Sequence, residues 1–217
     1  MKNSMKQFRK LFLLICLAWG SANAQIAVSG DALGGTPLAG QSYMNVKGTP
    51  YLLENWEKGS VTLASGKKFE NLDLKFDQVI NQVIFQDMDG SMKAFSQPII
   101  AFTIGKDANG HQFHRGLDGI FYEKLLNGRI TLWKKNHKTL IDEKPYGSAT
   151  VQRNVLNNFT YYVGELTQLT KIKTDKKSVL ELLADKSSDI EAFIKKEKLN
   201  PRTENDLVRV IMYYNGL

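Results

Sequence analysis

The sequence predicts an α+β fold: an antiparallel β-sandwich or partly closed barrel, built as a meander of hairpins and followed by a C-terminal segment of about three helices. Two observations carry this expectation. Between residues 51 and 173, short alternating or β-branched runs are punctuated by turn-forming residues, the pattern of half-buried strands joined by hairpins. Over residues 174–217 the apolar residues recur every three to four positions instead. Strands first and helices after, with no alternation between them, define the class.

Residues 1–24 read as a signal peptide. Lys2, Lys6, Arg9 and Lys10 form a basic n-region, Leu11 to Trp19 a short apolar stretch, and Ala22-Asn23-Ala24 a cleavage site before Gln25. The apolar stretch is shorter than the roughly 20 residues a membrane span needs. Cys16 lies within it, but Ile15 stands where a lipidation signal needs a small residue. The mature protein is therefore expected to be exported, periplasmic or extracellular. Residues 25–50, with Gly30, Gly34, Gly35, Pro37, Gly40, Gly48 and Pro50, read as an irregular N-terminal segment.

The β region, 51–173, opens with Val61 and Leu63 alternating with polar neighbours, then a turn at Ser65-Gly66-Lys67. Leu72, Leu74 and Phe76 share a face of the next strand. The run 79–85 reads as a strand ending at the turn Asp87-Met88-Asp89-Gly90. Ile100, Phe102 and Ile104 alternate before a turn at Asp107-Ala108-Asn109-Gly110. The runs 120–126 and 129–133 flank Asn127-Gly128, a hairpin signal because both residues accept φ > 0. Phe159, Tyr161 and Val163 share a later face.

The C-terminal helices, 174–217, are expected to pack on the β region. Val179, Leu180, Leu182 and Leu183 make one stripe and Ile190, Phe193 and Ile194 another, the second behind a Ser188/Glu191 capping box. Thr203 and Asp206 resemble a further box before Leu207, Val210, Ile211 and Tyr214. Helices this short are too weak to stand alone in water.

Composition narrows the chemistry. The whole chain carries 29 Lys+Arg against 22 Asp+Glu. All four basic residues of the signal leave with it, so the mature chain keeps 25 against 22, a net charge of +3. A mildly basic exported chain is a poor candidate for nucleic-acid binding. With its only cysteine in the signal, the mature chain is cysteine-free, which excludes disulfides, thiolate catalysis and cysteine metal sites.

No motif rises to a catalytic or binding signature, and no catalytic, cofactor-binding or metal residue is assigned. His111 and His114, near Asp107 and Asp118, are spaced to share a face only on a helix; on a strand they point apart. Asp87 to Gly90 has the opening of a calcium loop without its later ligands. Ser65 to Lys68 matches S-x-x-K but lies in a turn. The pair Asp142 and Glu143 stays unassigned, and Lys195 to Lys198 reads as a solvated face. Tyr43, Tyr51, Trp56, Trp133, Tyr161, Tyr162, Tyr213 and Tyr214 read as core and rim of a β fold.

Two stretches resemble a group of exported β-rich proteins of Gram-negative bacteria for which no activity is known. The first is Gly48-Thr49-Pro50-Tyr51-Leu52 with Trp56, Gly59, Val61, Leu63 and Gly66. The second is Asp185-Lys186, Ile190, Phe193 to Lys196, Leu199, Asp206-Leu207 and Tyr213-Tyr214-Asn215. The resemblance implies export and a strands-then-helices layout, and no catalytic residue or ligand. The expected function is therefore a periplasmic or envelope-associated protein, non-enzymatic, with a binding or structural role. Its partner would be a protein or an apolar small molecule, with peripheral envelope association. The alternative is a hydrolase whose site is assembled from dispersed residues, with His111 or His114 as base.

Overall fold

The computed structural model describes residues 35–38, 43, 45–105, 110–144, 147 and 151–217. The expected signal peptide, most of the segment 25–50 and the turn residues 107–109 lie outside the described residues. Among the described residues one sheet contains β1 (Gly35–Pro37), β2 (Val46–Lys47), β3 (Glu57–Leu63), β4 (Lys68–Asp77), β5 (Gln82–Gln86) and β6 (Met92–Phe95). It continues through β7 (Ile99–Ile104), β8 (His111–Arg115), β9 (Phe121–Leu126), β10 (Leu132–Glu143), β11 (Gln152–Glu165) and β12 (Gln168–Ile172). Three helices follow: α1 (Lys176–Leu182), α2 (Ser187–Lys196) and α3 (Glu204–Asn215).

The strand order is β1-β6-β5-β4-β3-β7-β8-β9-β10-β11-β12, with β2 pairing β11 in parallel and the other ladders antiparallel. The sheet is therefore open and mixed. The β-rich, helices-last layout is present; a second stacked sheet, or a pair closing β1 onto β12, is not found among the described residues. The sheet covers its apolar face by curling. Phe76 on β4 and Phe121 on β9 lie four strand steps apart, about 19 Å in a flat sheet, yet their rings are 5.8 Å apart. Phe102 and Phe113 approach Phe76 at 5.1 and 5.2 Å. These rings, with Val61, Leu63, Leu74 and Ile104, form the first core.

Side-chain bonds explain where strands stop. Asp77 is buried and its Oδ1 accepts from the Val79 and Ile80 amides, so 78–81 is a turn, not the start of the strand expected over 79–85. Asn81 completes it at φ 55°, a conformation asparagine tolerates better than most residues. In β7 a register shift opposite Thr62/Leu63 buries Ile99 and turns Ile100 outward, breaking the expected alternation.

The second core joins the helices to the sheet. Leu132, Tyr161, Val163 and Ile172 pack with Val179, Leu183, Ile190, Leu207, Val210 and Ile211. Thr203 caps α3, accepting from the Asp206 amide at 3.4 Å. Asp206 turns its own carboxylate to the Asn200 amide, so the box is not reciprocal. Asp175 caps α1 through the Ser178 amide. The expected Ser188/Glu191 box does not form: Lys186, two residues earlier, is the N-cap of α2, and Glu191 pairs with Lys176 at 2.7 Å.

The β9–β10 connection corrects a further expectation. Leu126 pairs with Leu132, making a five-residue loop, and neither Asn127 nor Gly128 has positive φ. Gly128 serves close approach instead, since a Cβ there would lie 2.3 Å from Asn215 Nδ2. Asn215, at the end of α3, accepts from the Ile130 amide at 2.9 Å and donates to its carbonyl at 3.0 Å. It thereby pairs with the loop as a strand would.

Candidate functional site

Register places the chemistry-bearing residues of β8 to β11 on two faces. On the core side, Glu123, Lys134 and Tyr161 lie in one row across β9, β10 and β11, and His111 on β8 reaches into it. His111 Nδ1 and Glu123 Oε1 are 2.5 Å apart. Lys134 Nζ lies 2.7 Å from Glu204 Oε2 at the start of α3, and the Tyr161 hydroxyl donates to the same oxygen at 2.9 Å. This polar row runs between the two cores: Phe121 on one side of Glu123 belongs to the first, and Leu125 on the other packs against the second.

The electrostatics follow from the pairing. The bond to Glu123 raises the His111 pKa, opposed by burial. Burial first, and then the Glu204 bond, push the Tyr161 hydroxyl upward. Both groups keep their protons more firmly than they would in water.

The opposite, outer face is aromatic and basic. His114 meets Trp133 edge-on at 5.6 Å, and Tyr122 meets Tyr162 at 5.4 Å. Lys124 Nζ lies over Trp133 at 5.2 Å and Lys135 Nζ over Tyr122 at 6.0 Å, within range of a cation–π attraction. The Trp133 indole donates to the Gly164 carbonyl at 2.8 Å, and the Tyr122 hydroxyl to Asp118 Oδ2 at 2.9 Å. The His114 pKa is lowered by burial and then by Lys124.

The two histidines raised by the sequence are thus placed on opposite faces, as the strand reading of that segment requires. Of the two, His111 alone has a carboxylate partner among the described residues. Among the described residues no group of His, Cys, Asp and Glu could hold a metal ion. Asp87 and Asp89 bond the Met88 and Ser91 amides within their turn. Ser65 is exposed in a turn and Lys68 pairs with Glu70. Asp142 takes Arg153 across the β10–β11 hairpin, and Glu143 takes Asn154.

Sequence reasoning missed the Glu123–Lys134–Glu204 part of the row. Its signal was an acid at Glu123 in phase with Phe121 and Leu125, at a position that alternation reserves for an apolar side chain.

Chemically, a carboxylate holding Nδ1 leaves Nε2 of His111 as the nitrogen that would move a proton. Among the described residues no hydroxyl or thiol is bonded to that ring. Lys134 and Glu204 neutralise each other. Comparison of the chain with protein-family models, with curated proteins and with solved structures finds no match.

Proposed function

We propose that this chain is an exported, envelope-associated protein without enzymatic activity, which presents the long β10–β11 hairpin to a protein partner. One observation carries the reading: the hairpin places apolar side chains in solvent. Leu156 and Phe159 are 47 % and 55 % exposed, and Ile141 and Val151 also face water. Exposed apolar side chains gathered on one element mark interaction surfaces more often than isolated ones do. The Ala22-Asn23-Ala24 site and the resemblance to exported proteins support export, and the curl that brings Phe76 onto Phe121 supports reading the sheet as a partly closed barrel.

The test replaces Leu156 and Phe159 by serine in cells that make the full chain. The expected result is mature protein beginning at Gln25, retained in the envelope fraction and released from it in the double variant, with an unchanged Tm. Equal retention of both proteins, or retention of residues 1–24, overturns the reading. A second reading, a hydrolase with His111 as base, is favoured by the Glu123 bond alone. It requires an activity that His111→Gln removes without lowering Tm.

A further inference from the structure

The edge of β11 is occupied at both ends and open in the middle. β10 pairs with β11 from Gln152 to Val163 and takes one edge. β2, at Arg153 and Asn154, and β12, from Tyr161 to Glu165, must therefore share the other. On that second edge residues 155–160 have no ladder partner among the described residues, and 156–159 are exposed. The gap is six residues long, about 20 Å of strand. Its sequence, Val155-Leu156-Asn157-Asn158-Phe159-Thr160, contains no charge and no proline, the devices with which exposed edges are usually blunted.

The two faces beside this gap differ. Register puts Val46, Val155, Phe159 and Ile172 on the core-side face, and Lys47, Lys135, His137 and Lys171 on the outer one together with Leu156. Lys47, His137 and Lys171 are exposed. The acid on that outer face of the hairpin, Glu143, lies toward the tip and is bonded to Asn154. A strand entering the gap would carry alternate side chains to the two faces. Apolar residues would then sit beside Val155 and Phe159, and acidic ones among the basic groups. β11 of a second copy fits less well, because its continuous strand would run into β2 and β12 at the ends of the gap.

We propose that the open stretch of β11 receives an extended acidic segment of a partner protein, alternating apolar and acidic residues, by β-strand addition. This rests on the reading of the hairpin as a binding surface and names what it binds. Main-chain bonds to residues 155–160 supply affinity, and the apolar–acidic alternation supplies register and direction of approach.

The probe is an acetylated, amidated octapeptide of alternating valine and glutamate, added to the mature chain. Three controls accompany it: the same peptide with alternate amides N-methylated on the pairing edge, the same peptide with lysine for glutamate, and the variant Phe159→Lys. Hydrogen exchange should show new protection at residues 155–160, and fluorescence anisotropy should show binding that weakens with salt. Each control should bind at least about tenfold more weakly, the equivalent of about 1.4 kcal/mol. Equal binding of the N-methylated peptide, protection elsewhere on the chain, or no binding overturns strand addition. Protection of 155–160 that rises with protein concentration and needs no peptide assigns the edge to a second copy and also overturns it. If the peptide fails while the Leu156/Phe159 serine variant still leaves the envelope, the hairpin reading stands and only strand addition falls.

Discussion

Two histidines three residues apart illustrate how far strand geometry separates similar side chains. His111 keeps its proton more tightly in the folded chain than in the unfolded one, because Glu123 holds the charged ring. Its contribution to stability is full below the unfolded value near 6.5, and it fades as pH rises through the higher folded value. His114 has the opposite sign: burial and Lys124 depress its folded pKa. Its contribution is full above about 6.5 and is lost as pH falls through the lower folded value. Ring-nitrogen NMR titration of the protein should find His111 above that value and His114 below it. Glu123→Gln should move His111 downward and leave His114 in place. Coincident titration of the two rings would contradict the placement of His111 against Glu123.

At the scale of elements, the last turn of α3 is tied to the sheet by one side chain. Asn215 satisfies both backbone groups of Ile130, and Gly128 makes room for it. Asn215→Ala strips partners from an amide and a carbonyl at the second core and should lower stability by about 1–3 kcal/mol. Gly128→Ala, which places a methyl against the Asn215 side chain, should cost a similar amount. Urea unfolding measures both. Because the two changes act on one contact, the double variant should lose less than the sum of the single losses. Additive losses would show that Gly128 serves the loop conformation instead.

The same element shows what a sequence discloses. Leu207, Val210, Ile211 and Tyr214 were legible as a buried stripe because helical periodicity is local, and all four are buried. Asn127-Gly128 was legible as a turn but misread in kind, since the reason for the glycine lies 87 residues away at Asn215. The helix caps divide in the same way: the Thr203 cap was readable, whereas the expected Ser188 cap gives way to a helix that begins earlier and a Glu191 recruited by Lys176. The polar row was invisible because four strands and a helix supply it, and only register brings Glu123, Lys134, Tyr161 and Glu204 together.

Among the described residues two apolar cores lie on one curled sheet, and the His111–Glu123 and Lys134–Glu204 pairs lie where the cores meet. Glu123 is nearly buried, and breaking a buried pair by removing one partner leaves an uncompensated group that destabilises strongly. Through Glu204 the row fastens the start of α3 to Lys134 of β10 and Tyr161 of β11. The first core is made of strands alone, so it is the part able to persist if that fastening fails.

The most direct test is native-state hydrogen exchange in rising denaturant on the protein and on its Glu123→Gln/Glu204→Gln variant. In the native chain, amides of β4 and β7 in the first core and of α3 in the second should open with one common free energy. In the variant, α3 should open first, at a lower free energy than β4 and β7. Two separate opening energies in the native chain, or one shared energy in both proteins, would contradict the assignment of the polar row as the joint between the two cores.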